Sequence, residues 1–467
     1  MSYRTSTSRR GFLSLAAGAA AWGLGGGRLH AAGAAGMPPL RIGAISDIHI
    51  NFKGRKDNCF LYGAHGTFRA ALEYFRDQKV DAVTVTGDIA DTGRLQELEA
   101  AGRIWREVFP GDKRPDGEHV EPVFIYGNHD GFKHTKDEPI VSDDFAASWK
   151  KAFGRDWSPV YSVKVKGYTF IGMHWGHEKD LPAFIEKHES ELGLREARPF
   201  FCLQHPIPKD TLFAHSGTWG EDKGHVTKCL SAYPNAVSLS GHTHMATTDD
   251  REVWQGAFTA INCCTLAQIK PPAKCVNTPW RKGKGGNVVH HMKATSRKGK
   301  QGYMMDVWPD RLEIARREFV YGIEAGPKMI VPIPSVASAP VFGYAAQARR
   351  AVAPAFPAGA ALSVVERGGK DASGRPERQI VLDFPSAVAA GHRGRVERYR
   401  VEAIPEAGGE SVLTRHVAQE LYFHPIEKIP ARQQCVLGAD ELPSGQKVKW
   451  RVTPIGVFAQ EGRALVS

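Results

Sequence analysis

Five short segments follow one another along this chain: Asp47-Ile48-His49, Gly87-Asp88-Ile89-Ala90-Asp91, Gly127-Asn128-His129-Asp130, His205-Pro206 and Gly241-His242-Thr243-His244. They offer three carboxylate or amide oxygens (Asp47, Asp88, Asn128) and four imidazoles (His49, His205, His242, His244). Mixed oxygen and imidazole donors suit borderline divalent cations such as Mn, Fe, Co, Ni and Zn. No cysteine stands in the segments, which argues against a thiolate-based structural zinc site. A pair of cations roughly 3.5–4 Å apart needs a ligand that both can share. Asp88 is the natural one: it has two oxygens, lies between the flanking ligands in sequence and follows Gly87 at a strand end. Each segment alone is ordinary, as a strand end, a turn or a structural histidine before proline. Their joint order, each placed after an apolar run that reads as a strand, points to a two-metal hydrolytic site.

The elements that must position these residues are legible as apolar, β-rich runs at 40–46, 82–86, 122–126, 168–173, 200–204 and 236–240. Helical patterns lie between them at 67–78, 94–108, 143–153 and 180–192. Alternation of this kind predicts α/β layering. Ligands gathered after the carboxyl ends of strands are the usual placement for open α/β sheets. The run 168–173 leads instead to His174-Trp175-Gly176-His177, which could line the substrate pocket or simply pack. Pro327, Pro332, Pro334 and Pro340 mark a Pro-rich linker over 326–342. Beyond it, short alternating runs at 378–384, 396–403, 411–417, 420–424 and 448–455 predict a smaller all-β sandwich over 343–467, of immunoglobulin or fibronectin III type. That half carries no metal or catalytic motif.

The order and spelling of the five segments resemble the calcineurin-like metallophosphoesterase superfamily, whose pattern is DxH, GDxxD, GNH(D/E), a lone His and GHxH. The resemblance covers roughly residues 40–320 and implies a four-layer α/β/β/α sandwich within a domain spanning 38–325. It implies that Asp47, His49 and His244 hold one divalent metal, that Asn128, His205 and His242 hold a second, and that Asp88 bridges them. It also implies His129 as the acid near the leaving group, with Asp91 orienting it. The expected metals are Mn, Fe or Zn. The expected reaction is hydrolysis of a phosphomonoester or phosphodiester by a metal-bridging hydroxide, which cations make available near neutral pH. Purple acid phosphatases place Tyr where Asp91 stands and lack the His of the first motif, so the tyrosinate-iron version is disfavoured. The Arg of the protein phosphatases is also missing, since Asp91 is followed by Thr92-Gly93. The competing reading is a catalytically silent scaffold that binds through the C-terminal sandwich or a basic loop.

At 467 residues the chain exceeds one ordinary domain. Its start, Ser8-Arg9-Arg10-Gly11-Phe12-Leu13-Ser14 followed by a mild Ala/Gly/Leu run, looks like a twin-arginine export signal over residues 1–35. This implies the twin-arginine translocase as a transient partner and a periplasmic or secreted product. No run reaches the roughly 18 apolar residues of a spanning helix, so no transmembrane span is expected in the mature chain. The seven cysteines, odd in number and irregular in spacing, are not a disulfide framework. Only Cys59 and Cys275 stand out as a pair that export could join. Net charge is +11. The leader holds four basic residues and no acids, which leaves about +7. The insertion 270–300 alone holds nine basic residues and no acids, so the basic character is local. That insertion reads either as an electropositive flap for an anionic phosphoester substrate or as a solvated loop. One basic loop without regular aromatic interleaving predicts no stable nucleic-acid partner.

Overall fold

The computed structural model describes residues 40–51, 64–132, 139–213, 219–269, 299–371, 374–419 and 429–467, together with the backbone of 281–282 and 288–289. The expected leader at 1–35, most of the basic insertion 270–300, the run 420–424 and both Cys59 and Cys275 lie outside the described residues.

Along the chain come β1 (Leu40–Ile45), α1 (Ala64–Asp77), β2 (Ala82–Thr86), α2 (Leu95–Val108), β3 (Glu121–Ile125), α3 (Phe145–Phe153), β4 (Val160–Val165) and β5 (Tyr168–Met173). Next are α4 (Leu181–Leu192), β6 (Phe200–Leu203), α5 (His225–Leu230), β7 (Ala236–Ser240), β8 (Val253–Gln255) and β9 (Thr259–Asn262). The short β10 (Arg281–Lys282) and β11 (Val288–Val289) precede β12 (Gln301–Trp308), β13 (Arg311–Glu318) and β14 (Ile323–Pro332). The chain ends with α6 (Tyr344–Arg350), β15 (Ser363–Lys370), β16 (Pro376–Pro385), β17 (Val396–Pro405), β18 (Leu413–Ala418), β19 (Arg432–Gly438), β20 (Val448–Gly456) and β21 (Leu465–Val466).

Two six-stranded sheets build the first part, in the orders β14-β13-β12-β1-β2-β3 and β4-β5-β6-β7-β9-β8. Their centres are parallel: β1 with β2 and β3, and β5 with β6, β7 and β9. Strands β2, β3, β6 and β7 are buried along their whole length. Apolar runs of this kind need cover on both faces, which is why parallel strands sit in sheet interiors. Ile42, Ala44, Val123 and Ile125 of one sheet meet Phe170, Phe201, Leu203 and Leu239 of the other. On the outer side of the first sheet, Val83, Val85 and Phe124 carry Phe68, Leu72 and Phe75 of α1 and Leu98 and Trp105 of α2. On the outer side of the second, Ile171 and Cys202 carry Leu181 and Ile185 of α4 and Leu230 of α5. The layering is α/β/β/α, as expected.

The C-terminal region is all antiparallel: β15-β16-β19 in one sheet and β18-β17-β20-β21 in the other. Leu382, Phe384 and Leu437 from the first share a core with Tyr399, Val401, Trp450 and Val452 from the second. Strand β14 runs through the start of the stretch expected to be linker, pairing with β13. Among the described residues no helix is long and apolar enough to cross a membrane.

Candidate metal centre

The loops after β1 and β2 zip together beyond the strand ends. Asp47 N donates to Gly87 O (3.0 Å), His49 N to Asp88 O (2.9 Å) and Asp91 N to Ile50 O (3.0 Å). The loop after β3 joins them, because the Asp130 carboxylate accepts from the amides of Ala90 (2.6 Å), Gly127 (2.7 Å) and Ile89 (3.3 Å). From the second sheet, Gly241 N donates to His205 O (3.0 Å), and His242 N reaches across to Asp47 Oδ2 (2.9 Å). The side chains therefore converge at the carboxyl ends of both sheets, where they meet.

Five of these residues adopt left-handed backbone: Asp47, His49, Asp88, His242 and His244, with φ between 50° and 68°. Such backbone costs about 1–3 kcal/mol per non-glycine residue and persists only where surroundings over-determine it. Here it turns successive side chains inward from a strand end. Two glycines let the loops approach. A Cβ on Gly127 would stand inside contact distance of Asp88 and His205, and one on Gly241 would collide with Ser46 and Asp47. Gly127→Ala should therefore weaken cation binding by at least about tenfold, comparable to the loss of an outer-shell support. Cation titration checks this, with the melting curve as a measure of folding.

Two clusters form, each with donor atoms within 4.8 Å of one another: Asp47, His49, Asp88 and His244, and Asp88, His205 and His242. Asp88 belongs to both. Its Oδ1 accepts from His129 N (2.8 Å), which leaves Oδ2 at 3.6 Å from His49 Nε2 and 3.2 Å from His205 Nε2. Asp47 Oδ2 accepts from Ser46 Oγ (2.6 Å) and His242 N, so Oδ1 faces His244 Nε2 at 2.8 Å.

Every imidazole in the two clusters is oriented from outside. His49 Nδ1 pairs with Asp91 Oδ1 (2.9 Å), His205 Nδ1 with Thr86 O (2.7 Å), His244 Nδ1 with Gln268 O (2.6 Å) and His242 Nε2 with Trp219 O (3.3 Å). A carbonyl can only accept, so His205, His244 and His242 donate outward and turn their second ring nitrogens inward. The same tautomer at His49 completes the pattern of metal-ligating histidines. The inward nitrogens face each other closely: His49 Nε2 and His244 Nε2 at 3.3 Å, His205 Nε2 and His242 Nδ1 at 3.1 Å. Two lone pairs at that separation repel unless a positive charge lies between them. Asn128 Oδ1 is buried and accepts no hydrogen bond among the described residues. An orphaned buried oxygen and paired, inward-facing imidazoles fit two divalent cations.

When the site holds protons alone, they take up that role. Burial works against charge on His49 and His205. The carboxylates of Asp47, Asp91 and Asp88 overcome it, raising His49 to about 10; those of Asp88 and Asp47 raise His205 to about 9. Asp88 and Asp47 are desolvated too, yet His205 and His49 hold Asp88, and His244 and His49 hold Asp47, well below the usual carboxylate range. His242 goes the other way, pushed down to about 3 by burial and by its neighbour His205.

His129 is not in either cluster, but it shares a third grouping with His49 and Asp91. Its Nδ1 donates to the main-chain carbonyl of Asp91 (2.7 Å), while the Asp91 carboxylate is 3.7 Å away. The carboxylate is committed to His49 and to Asn51 Nδ2. Asp91 thus orients His129 through its backbone and His49 through its side chain. Burial and the charge of His49 lower the pKa of His129.

Of the run after β5, only Trp175 belongs here. Its ring lies 5.2 Å from that of His242 and 5.7 Å from that of His205. His174 is buried, stacks on Tyr126 and accepts from Tyr126 N (3.0 Å), while His177 pairs with Asp180 (2.8 Å). Residues that sequence reasoning missed are Asn51, Trp219, and Asp130 as a clamp across three loops. Trp219 packs edge-on against His242 at 4.8 Å. Asp130 was visible as the fourth residue of Gly127-Asn128-His129-Asp130, though its role was not.

No curated protein matches the chain. Among solved structures it is similar to a dimetal phosphatase from Danio rerio, with 12% identity over 63% of this chain and 99% of that one, and a TM-score of 0.38. It is similar to a purple acid phosphatase from yellow lupin (Lupinus luteus) seeds, with 12% identity over 63% of this chain and 55% of that one, and a TM-score of 0.40. It is also similar to a Vps29 single mutant from Entamoeba histolytica, with 11% identity over 63% and 99% and a TM-score of 0.30. Residues 40–246 match the family model of the calcineurin-like phosphoesterases, and this chain carries a calcineurin-like phosphoesterase domain there.

Proposed function

We propose that this chain is an exported dinuclear-metal phosphoesterase that hydrolyses a phosphomonoester or phosphodiester. The observation that carries the reading is Asp88 Oδ2, set between His49 and His205 and so common to both clusters. Asp47, His49 and His244 would hold one cation, Asn128, His205 and His242 the other, and Asp88 both. Bound there, Mn, Fe or Zn would supply a nucleophile near neutral pH and offset charge on the phosphoryl oxygens. The protein's own part is to orient the donors, and to present His129 to the leaving group. With Nδ1 donating to Asp91 O, His129 turns Nε2 to the departing oxygen and would protonate it as the imidazolium, whose second proton sits on Nε2; burial and the charge of His49 disfavour that form in the cation-free protein.

The test is the purified full chain, loaded with Mn, Fe or Zn and offered a panel of phosphomonoesters and phosphodiesters. Chelator-sensitive turnover is expected. Turnover of none of them would leave the silent scaffold as the function. A second expectation concerns protons. His49 and His205 both hold a proton at pH 7 in the cation-free protein, because their values lie above neutrality. Cation loading displaces these protons, about one at each of the two positions, so affinity climbs as pH rises toward 9 at the His205 position and toward 10 at the His49 position. Calorimetry in buffers of differing ionisation enthalpy counts them; release of none contradicts the expectation.

Export by the twin-arginine pathway rests on Arg9-Arg10 and the residues after them. Replacing both arginines with lysine should retain the protein in the cytoplasmic fraction. The three-plus-four antiparallel strand order of the C-terminal region supports an immunoglobulin- or fibronectin III-like sandwich.

A further inference from the structure

The segment that follows His244 is gripped by the C-terminal sandwich. Met245 and Ala246 are buried against Cys264, Ile269 and, from the far end of the chain, Ile429. Ile269 directly follows Gln268, whose carbonyl orients the His244 ring. The chain then turns, with Asp249 N donating to Ala246 O (3.0 Å) and Glu252 N to Asp249 O (3.1 Å). Arg251 in that turn donates to Asp249 (2.6 Å) and to Glu397 of β17 (2.7 Å), and all three side chains are buried. Beside it, Asp250 accepts from Arg316 of β13 (2.5 Å) and from Arg395 just before β17 (2.8 Å). One end of this stretch therefore presents a candidate cation ligand, and the other is pinned by buried ion pairs to a different fold unit.

We infer that the C-terminal sandwich is a positioning element for the metal centre: through Ile429 and Glu397 it sets the geometry of His244 and so the affinity for the cation held by Asp47, His49 and His244. The physical grounds are threefold. His244 adopts left-handed backbone, φ 56°, which needs its surroundings to hold it. The packing around Met245, Ala246 and Ile269 is sealed by a residue from outside the phosphoesterase domain. Removing Glu397 leaves Arg251 paired only with Asp249 of its own turn, so the turn loses its buried ion pair to β17. On the other side of Asp88, the loop after His205 meets the cluster around Ile429 through the partly buried Phe213, but His205 and His242 take their orienting partners elsewhere, from Thr86 O and Trp219 O.

This rests on the cation-binding part of the proposed function but not on hydrolysis. The experiment is titration of the full chain with Mn2+ alone. His242→Ala leaves the Asp47–His49–His244 centre to be measured, and His244→Ala leaves the other. Ile429→Ala should weaken Mn2+ binding about tenfold in the His242→Ala background, at the lower end of what lost outer-shell support costs. It should leave binding in the His244→Ala background unchanged, and Ile429→Val should restore most of the loss. Should Ile429→Ala fail to fold, Glu397→Gln provides the same comparison, with Glu397→Asp as its rescue. Equal weakening in both backgrounds, or none in either, overturns the inference. If the His242→Ala parent binds no Mn2+ at all, the cation assignment itself fails instead.

Discussion

Asp88→Asn should abolish turnover and empty at least one of the two cation positions. The substitution keeps the shape of the side chain and one oxygen, so the hydrogen bond from His129 N can survive. What goes is the charge. Asp88 is buried, and its Oδ2 stands within reach of imidazoles from both clusters. An amide offers a weaker, neutral donor to one cation and cannot neutralise a second. Loss of an outer-shell support costs roughly 10–100-fold in affinity or activity, and loss of the shared ligand should exceed that range. Elemental analysis of the purified variant, alongside hydrolysis of whichever phosphoester the parent turns over, gives the answer. Two cations retained at parental affinity would show that Asp88 does not bridge. The cation-free protein should also feel the change. Asp88 keeps its negative charge in the folded state to below the unfolded carboxylate range, so its pairing with His49 and His205 stabilises the fold above that range. That contribution is lost as pH falls through the folded-state value, and in the Asn variant it is absent throughout.

His129→Ala should separate binding from chemistry. Turnover is expected to fall by about 10²–10⁴-fold, the usual contribution of a positioned proton donor. Both cations should stay, because His129 is in neither cluster that Asp88 joins. The loss should be largest for alkyl leaving groups and should shrink for activated aryl ones, which depart without help. His129→Ala with the cations gone would instead mean that His129 is a ligand or holds one in place. A weaker version of the same outcome would implicate its ring contact with His49, at 4.6 Å between centroids.

Much of the scaffold was legible because its signals are local. The apolar runs at 82–86, 168–173 and 236–240 coincide with β2, β5 and β7, and the helical patterns at 94–108 and 180–192 differ from α2 and α4 by one residue. Strands that alternate charge with apolar residues were missed. In β13, Arg311, Glu313 and Arg317 interrupt the apolar positions, and only pairing with β12 and β14 makes the segment a strand. β15 and β19 escaped for related reasons, the first being Gly-containing and largely exposed, the second opening on Arg432-Gln433-Gln434.

By itself the sequence determined which residue types stand at which strand ends, and hence a set of oxygen and imidazole donors suited to two cations. Residue identity and strand periodicity are properties of a few neighbouring positions, so they survive reading along the chain. Tertiary structure alone decided which donors face one another and who orients them. Asp91 turned out to steer His49 with its carboxylate and His129 with its carbonyl; Trp175 and Trp219 came to flank His242; Glu397 reached Arg251. These contacts join residues up to 146 positions apart, and the meeting of His49 with His244 spans 195. Nothing within a short window encodes them, because they arise only when two sheets pack face to face and a third fold unit closes on the loop between.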